Sequence, residues 1–382
     1  MLTASQFDAL MVPITDLYEE YNLSVIEDIA RRLMNMDMTA TAAWEVQRLT
    51  ESGMLYSDIL EILSTLTGKT TEVLAESFRQ AGVKAIAFDD SIYLAAGLNP
   101  LPINLSPAMT QVLLAGLEKT KAVMFNLTMT TAETGQDAFI EAADLAYQQV
   151  SSGAMSYTQA IKVAIKSVAR QGLKMIEYSG SRDQVDVAVR RTVLTGVAQT
   201  TGVLQETRAE EMGSDLVQTS AHIGARPAHQ LWQGRIFSRS GTDKSYPNFR
   251  TATGYGTGPG LCGWNCRHSF YPFFAGISEN AYEQATIDEY ADMMVDYNGQ
   301  EISMYDATQV QRKYEREIRA LKREAAGLGA AGIDNGEELG EVRDLQAKLR
   351  DFVVQTKLLR QPEREGSRVL RVRQVDQVEA VQ

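Results

Sequence analysis

Apolar residues in the first hundred positions recur at helical spacing. One set falls at i, i+3, i+4 and i+7 and would share one helix face: Ile14, Leu17, Tyr18 and Tyr21. A later set continues the pattern: Ile59, Leu60, Ile62 and Leu63. Four glycines stand where helices of ordinary length could stop: Gly53, Gly68, Gly82 and Gly97. The pattern therefore predicts several short helices in the front of the chain.

Proline is absent between Pro107 and Pro227, which predicts a helical middle because proline disrupts helix interiors. Ser106 followed by Pro107 has the form of an N-cap and a first helical residue. The Ser156-x-x-Gln159 spacing is that of a capping box, in which two side chains satisfy the first free N–H groups of a helix. Two helix starts are therefore predicted at these positions.

The helix after Ser156 is predicted to end near Gly172, and a long helix is predicted from about Ser181 to Met212. Valines recur at every fourth position of the long helix: Val185, Val189, Val193 and Val197. Gly196 and Gly202 each cost a helix about 1 kcal/mol relative to Ala. We therefore expect these two glycines to mark close packing against another backbone.

The composition changes after Ser220. Residues 224–276 contain nine glycines, four prolines and two of the three tryptophans, which is typical of a loop-rich or short-stranded module. Helical spacing then returns, and the Gly-rich stretch 327–332 separates two late helices that we expect to form a hairpin. The predicted fold is mainly α, with a small Gly/Pro-rich α+β module in the second half. The predicted segments are an N-terminal helical region at 1–105, a long-helix region at 106–220, a His/Cys/Gly-rich module at 221–276 and a C-terminal helical segment with an Arg-rich tail at 277–382.

The 382 residues are 44% hydrophobic, which is enough for at least one sizeable core. Forty-nine acidic residues against 37 Lys plus Arg give a formal charge of −12, which disfavours nucleic-acid binding over the whole surface and argues against a free DNA-binding regulator. Several arginines gather near the C-terminus: Arg360, Arg364, Arg368, Arg371 and Arg373. They predict a short basic arm for a local DNA contact, with a solvated tail as the alternative.

The first residues form no basic and apolar leader, so we expect neither a signal peptide nor a transit peptide. No apolar run approaches ~18 residues, and no membrane span is predicted. Two cysteines in a chain of this length do not indicate a disulfide framework, so we expect reduced thiols and synthesis in a cytoplasm.

All the histidines and cysteines fall within 47 of the 382 residues: His222, His229, Cys262, Cys266 and His268. One hypothesis for this cluster is a structural zinc site, because imidazole and thiolate are preferred ligands of zinc. A Cys2His2 set would use both cysteines, His268 and one of the other two histidines. The spacing differs from that of a standard zinc finger.

A second hypothesis is a catalytic site. It would pair a cysteine with a histidine, or combine His222 or His229 with Asn265 and His268 in a nuclease arrangement. The stretch Gly258–Gly263 matches G-x-G-x-x-G, but neither a β-branched run before it nor a helix start after it is present, so a dinucleotide site is not predicted.

A third hypothesis is a purely structural module. The histidines and cysteines would then be semi-buried residues, and Trp232 and Trp264 would form the aromatic core. Arg226 and Arg267 would hydrogen-bond loop carbonyls or acids. The residues alone leave the three hypotheses open.

The same residues carry a resemblance to a known family. The blocks are Ala221-His-Ile-Gly-Ala-Arg-Pro-Ala-His229, Trp232-Gln-Gly234 and Gly254-Tyr-Gly-Thr-Gly-Pro-Gly-Leu-Cys-Gly-Trp-Asn-Cys-Arg-His268. Two earlier stretches also fit, Asp183–Thr192 and Thr200–Gln205. Together they resemble the phage minor capsid protein 2 family, which is distantly similar to Mu F-type head morphogenesis proteins, over most of residues 1–330.

The resemblance implies a structural minor head protein of a tailed bacteriophage rather than an enzyme. It implies docking at or near the portal vertex in several copies, contact with the portal protein or the major capsid protein, and a role in head assembly, DNA packaging or delivery. The expected location is the virion, reached from the host cytoplasm during assembly. No catalytic residue and no cofactor are implied, apart from the zinc of the first hypothesis; the rival reading is a nuclease or hydrolase delivered with the virion. The expected structural residues of the module, besides the histidines and cysteines, are Gly224, Arg226, Pro227, Trp232, Gly234, Trp264, Asn265 and Arg267.

Overall fold

The structure is a computed structural model that describes residues 1–38, 40–177, 180–366 and 369. The prediction of a mainly α fold with a small α+β region is confirmed. The helices are α1 (Ala4–Met34), α2 (Thr41–Ala95), α3 (Pro107–Ser151), α4 (Tyr157–Gln171), α5 (Val185–Glu211), α6 (Pro227–Gln230), α7 (Phe249–Thr253), α8 (Gln284–Asp292), α9 (Met304–Ala330) and α10 (Gly336–Thr356). The strands are β1 (Lys174–Ile176), β2 (Arg182–Gln184), β3 (Leu216–Thr219), β4 (Ile236–Ser238), β5 (Phe270–Pro272), β6 (Met294–Tyr297) and β7 (Gln300–Ser303).

Local capping signals set several helix ends where the sequence predicts them. Pro107 is the first residue of α3, and Oγ of Ser106 accepts a hydrogen bond from the N–H of Met109 at 3.3 Å. Helix α4 begins with both hydrogen bonds of the capping box between Ser156 and Gln159. These starts are confirmed because each depends on residues within one helical turn.

The prediction of several short helices in the front of the chain is wrong. Helix α2 runs through Gly53, Gly68 and Gly82 without a break, and among the four front glycines Gly97, with φ of +79°, marks a helix end. Each interior glycine costs the helix about 1 kcal/mol. Burial of one large apolar side chain contributes about 1.5–3 kcal/mol, and α2 buries a long row of them, including Leu55, which outweighs that cost. Similarly, α9 continues through the glycines at 327 and 329 before the turn to α10.

The described chain packs into two compact units. Unit 1 comprises Met1–Ile14, Lys69–Met124 and Val189–Gln309, and unit 2 comprises Thr15–Gly68, Phe125–Ala188 and the described residues from Val310 onward. The four segments predicted from the sequence stay a prediction. Among the described residues, no helix combines the length and apolar character needed to cross a membrane.

In unit 1, two helices approach each other closely through a reciprocal pattern. A Cβ added to Gly116 of α3 would lie 2.0 Å from Oγ1 of Thr200 on α5, and a Cβ added to Gly196 of α5 would lie 2.2 Å from Oγ1 of Thr120 on α3. The expected close approach at Gly196 is therefore present, although its neighbour is a threonine side chain rather than a backbone. The small residues allow the α3 and α5 backbones to come near each other.

Unit 1 also contains a three-stranded antiparallel sheet in the order β4-β3-β5. Strand β3 pairs on one side with β4 and on the other with β5, with Thr219 opposite Phe270. The α+β region around this sheet has a core of aromatic rings: Phe237, Phe249, Tyr255 and Phe270. The sheet therefore joins two stretches of chain about fifty residues apart in sequence.

Among its described residues, unit 2 has helices as its regular structure apart from the β1–β2 pair. Helix α4 buries its apolar stripe, including Ile161 and Ile165, as its periodicity predicts. Its basic residues meet carboxylates of α9 and α10: Lys166 contacts Glu338 at 3.0 Å, and Arg170 contacts Glu324 at 2.8 Å. Both glutamates are buried, so these pairs compensate charge that has little contact with water.

Candidate metal centre

The histidines and cysteines meet because β3 pairs with β5. The N–H of Ser220 donates to the carbonyl of Ser269 at 2.8 Å, and the N–H of Ser269 donates to Oγ of Ser220 at 2.9 Å. These bonds continue the strand pairing up to the two histidines that flank it. The rings of His222 and His268 consequently stack, with centroids 4.2 Å apart.

The third histidine, His229, lies on a single turn of helix. Helix α6 begins at Pro227, whose fixed φ suits the first helical position, and it buries His229. The ring of His229 contacts the rings of Trp232, at 4.5 Å between centroids, and His268, at 5.3 Å. Trp232 is itself buried and forms one wall around both histidines.

The cysteines lie on a tightly folded loop. A Cβ added to Gly260 would lie 2.0 Å from the carbonyl oxygen of Gly254, and one added to Gly263 would lie 2.1 Å from that of Gly258, so neither position has room for a side chain. Cys262 and Asn265 have φ values of +58° and +52°, which cost energy for residues with a Cβ. The loop is therefore closely constrained before it reaches Cys266 and His268.

Three of the five predicted side chains converge. Nδ1 of His229 lies 3.4 Å from Nδ1 of His268, and Sγ of Cys266 lies 3.8 Å from the first nitrogen and 3.7 Å from the second. We call these three atoms the donor triad. All three residues are buried, with exposed fractions of 1–2%. The arrangement has the residue types of a metal centre.

Hydrogen bonds on the far side of each ring fix the two histidines of the triad. Nε2 of His229 lies 2.8 Å from the carbonyl oxygen of Pro259. Nε2 of His268 lies 3.1 Å from Oε1 of Gln233. The same oxygen accepts a hydrogen bond from the backbone N–H of His222 at 3.2 Å. Sequence reasoning missed Gln233 and Pro259, because nothing in the local pattern indicates which carbonyl oxygens will face the imidazoles.

Burial keeps the triad uncharged when no cation is bound. It lowers the pKa of His229 to about 4 and lowers the pKa of His268 well below its ordinary value of 6.5. It also raises the pKa of Cys266 above its ordinary value. A buried, protonated thiol is a poor nucleophile, so the catalytic hypothesis gains no support from Cys266.

The other two predicted ligands lie outside the donor triad. Sγ of Cys262 contacts the carbonyl oxygen of His268 at 3.9 Å, and it lies 3.1 Å from the position of a Cβ on Gly202. Nδ1 of His222 faces the carbonyl oxygen of Ile223 at 3.1 Å. The structure thus brings one cysteine and two histidines together as donors and places the second cysteine and the third histidine beside them.

The predicted arginines make the expected kinds of bond. Arg226 donates to the carbonyl oxygen of Trp264 at 2.6 Å, and Arg267 donates to the carboxylate of Asp8 at 2.9 Å. The expectation that Trp264 belongs to an aromatic core is wrong, because its side chain is 59% exposed. Its ring instead covers Gly258, where an added Cβ would lie 2.6 Å from it.

The remaining predicted motif residues are turn positions. Gly224 and Gly234 have φ values of +74° and +71°, in the left-handed region that favours glycine.

Of the C-terminal arginines, Arg360 pairs through two hydrogen bonds with Glu365, and Arg364 lies 3.9 Å from Glu315. Three further arginines of the predicted basic arm lie outside the described residues: Arg368, Arg371 and Arg373.

The chain is similar to phage structural proteins along most of its length. The family described as Phage minor capsid protein 2 matches residues 2–354. A structural protein of Lactococcus phage LL-H is 24% identical over 367 residues, which cover 91% of this chain and 95% of that protein. A structural protein of Lactococcus phage mv4 is 33% identical over 116 residues, which cover 29% of this chain and 85% of that protein. No solved structure matches the chain significantly. The chain therefore belongs to the phage minor capsid protein 2 family.

Proposed function

We propose that this phage structural protein is a non-enzymatic part of the head, that it docks in several copies on the portal protein at the portal vertex, and that it assists head assembly, DNA packaging or delivery. Membership of a minor capsid family gives the coarse part of this statement. The observation that carries the non-enzymatic part is the burial of the donor triad, in which two of the three histidines and one of the two cysteines of the chain meet.

Burial of the triad favours a structural role over catalysis. A nuclease or hydrolase must bring its substrate to the reacting side chains, whereas Cys266, His229 and His268 are 1–2% exposed and face one another. The rival reading, an enzyme delivered with the virion, would require this module to open. Closely packed glycine loops and the paired strands β3 and β5 favour a rigid module instead.

The surface of the same module supports docking. Trp264 is 59% exposed on a constrained loop, and its backbone carbonyl accepts a hydrogen bond from Arg226. Exposed tryptophans on preorganised loops are favourable contact residues, because they bury large apolar area with little loss of conformational freedom. We therefore infer that the face carrying Trp264 contacts the portal protein.

The location is tested by cryo-electron microscopy of mature heads, with the portal vertex reconstructed without imposed icosahedral symmetry. We expect density for this protein at that vertex, and a copy number by mass spectrometry far below that of the major capsid protein. Chemical cross-linking of intact heads should join it to the portal protein. Icosahedrally distributed density, or absence of the protein from mature particles, would contradict the proposal.

The docking face is tested by complementing a phage that lacks the gene with single variants. We expect Trp264→Ala to reduce incorporation of the protein into heads, because it removes an exposed contact without disturbing the core. Leu359→Ala is the matched control, since Leu359 is 82% exposed but belongs to unit 2. Equal incorporation of the two variants would show that the Trp264 face is not the docking surface.

A further inference from the structure

We propose that the donor triad binds one zinc ion through Nδ1 of His229, Sγ of Cys266 and Nδ1 of His268. This inference does not depend on where the protein sits in the virion. It rests on the distances within the triad, on the hydrogen bonds of the two rings and on the chemistry of the three donors.

The distances within the triad are those of one face of a tetrahedral zinc site. Zinc lies about 2.0–2.1 Å from imidazole nitrogen and about 2.3 Å from thiolate sulfur. At the tetrahedral angle these bond lengths separate two nitrogens by about 3.4 Å and a nitrogen from a sulfur by about 3.6 Å. The observed separations are 3.4 Å between the nitrogens of His229 and His268, and 3.8 and 3.7 Å from these nitrogens to Sγ of Cys266. The three donors are therefore already spaced for one shared ion.

The hydrogen bonds of the rings assign their protons. The carbonyl oxygen of Pro259 can only accept, so Nε2 of His229 carries a hydrogen. The backbone N–H of His222 donates to Oε1 of Gln233, so this oxygen is an acceptor. Nε2 of His268, which faces the same oxygen, therefore also carries a hydrogen. In the neutral imidazoles that zinc binds, both Nδ1 atoms then present lone pairs to each other.

Lone pairs at this separation need a positive partner. Two facing nitrogen acceptors 3.4 Å apart repel each other, and the single proton of the Cys266 thiol can bond to one of them at a time. A cation at the centre of the triad satisfies both nitrogens and the sulfur at once. Hydrogen bonds from the outer ring nitrogens to oxygen acceptors, as seen at Pro259 and Gln233, are the usual second contacts of metal-bound histidines.

The donor set selects the metal. Two imidazoles and one thiolate are borderline and soft ligands, which favour zinc over magnesium or calcium. Binding would displace the Cys266 proton to solvent, as zinc requires a thiolate. Sγ of Cys262 and Nδ1 of His222 face backbone carbonyl oxygens instead, so the three donors of the triad are the ligands that we assign. The ion would join α6, the glycine loop and the start of β5, and thereby stabilise the module.

The first test uses the full wild-type chain, purified without a polyhistidine tag, which would itself bind metal. Elemental analysis should find roughly one zinc per chain. Cobalt added to the metal-free protein should give a thiolate-to-cobalt charge-transfer band and the visible bands of four-coordinate cobalt. A chain that holds no zinc after reconstitution, or cobalt without the thiolate band, would overturn the proposal regardless of how any variant folds.

The second test compares matched variants. Cys266→Ser and His229→Ala should lose zinc, whereas Cys262→Ser and His222→Ala should retain it, because each control removes the same residue type just outside the triad. Circular dichroism reports whether each variant keeps its helices. Loss of zinc from Cys262→Ser as complete as from Cys266→Ser would overturn the three-donor assignment.

The third test concerns the effect of the ion on stability. Chelation should lower the melting temperature of the wild-type chain, and zinc but not magnesium should restore it. An unchanged melting temperature after proven removal of zinc would overturn the structural role of the ion.

Discussion

Because α3 and α5 approach closely in unit 1, we expect Gly196→Ala to destabilise the protein, although helix propensity alone would make it stabilising. In an unobstructed helix interior, Gly→Ala stabilises a protein by about 1 kcal/mol. At Gly196 the new methyl group would lie 2.2 Å from Oγ1 of Thr120, more than 1 Å inside the usual contact distance of about 3.5 Å. Cγ2 and Cβ of Thr120 would lie 3.0 and 3.1 Å from the new methyl group as well, so rotation of this side chain exchanges one close atom for another and the helices must separate.

The expected size follows from these two opposing effects. Overpacking of this kind costs about 2 kcal/mol, and the gain in helix propensity returns about 1 kcal/mol, so Gly196→Ala should destabilise unit 1 by about 1 kcal/mol. Gly53→Ala is the matched control, because a Cβ there has no atom within 4 Å. It should stabilise α2 by about 1 kcal/mol. The two identical substitutions should therefore act in opposite directions.

Hydrogen exchange measured by mass spectrometry suits this comparison, since it reports each helix separately in a protein with two units. Peptides of α3 and α5 should exchange about fivefold faster in Gly196→Ala, and peptides of α2 about fivefold more slowly in Gly53→Ala. Adding Thr120→Ala to Gly196→Ala should recover most of the loss, with an interaction free energy of about 1–2 kcal/mol. If Gly196→Ala slows exchange as Gly53→Ala does, the close contact between α3 and α5 is refuted.

Three further predictions concern single positions. Gln233→Leu removes the acceptor for Nε2 of His268 and should weaken zinc binding by about 10–100-fold in a chelator competition; unchanged affinity would contradict its positioning role. Burial raises the pKa of Asp89 well above its ordinary 3.8, so the folded protein favours the protonated carboxyl. The stability that the protonated carboxyl contributes is lost as the pH rises from about 4 towards neutral. Asp89→Asn should therefore be the more stable protein at neutral pH and show a smaller change of melting temperature with pH, whereas a steeper change would refute this sign. Ser156→Ala removes the capping box of α4 and should cost about 1 kcal/mol, seen as faster exchange of α4 peptides; unaltered exchange would show that the cap contributes nothing.

Helix starts were predictable from the sequence wherever the signal was local. The cap at Ser156 and the Ser106–Pro107 start depend on neighbouring residues, and both have the predicted form. The length of α2 was not predictable in this way. Gly53 and Gly68 carry a breaking signal of about 1 kcal/mol each, and only the tertiary burial of the helix face decides that the helix continues.

The candidate metal centre shows the same division between local and distant information. Clustering of the histidines and cysteines was visible in the sequence, but the choice of donors depends on strands of three or four residues, which carry little local signal. Pairing of Thr219 with Phe270 brings His268 towards the α6 turn, and that turn presents His229 while His222 remains beside the pair. The donor set therefore follows from the register of β3 and β5: a slip of one residue would turn every side chain of β5 to the opposite face of the sheet and displace His268 from Cys266 and His229.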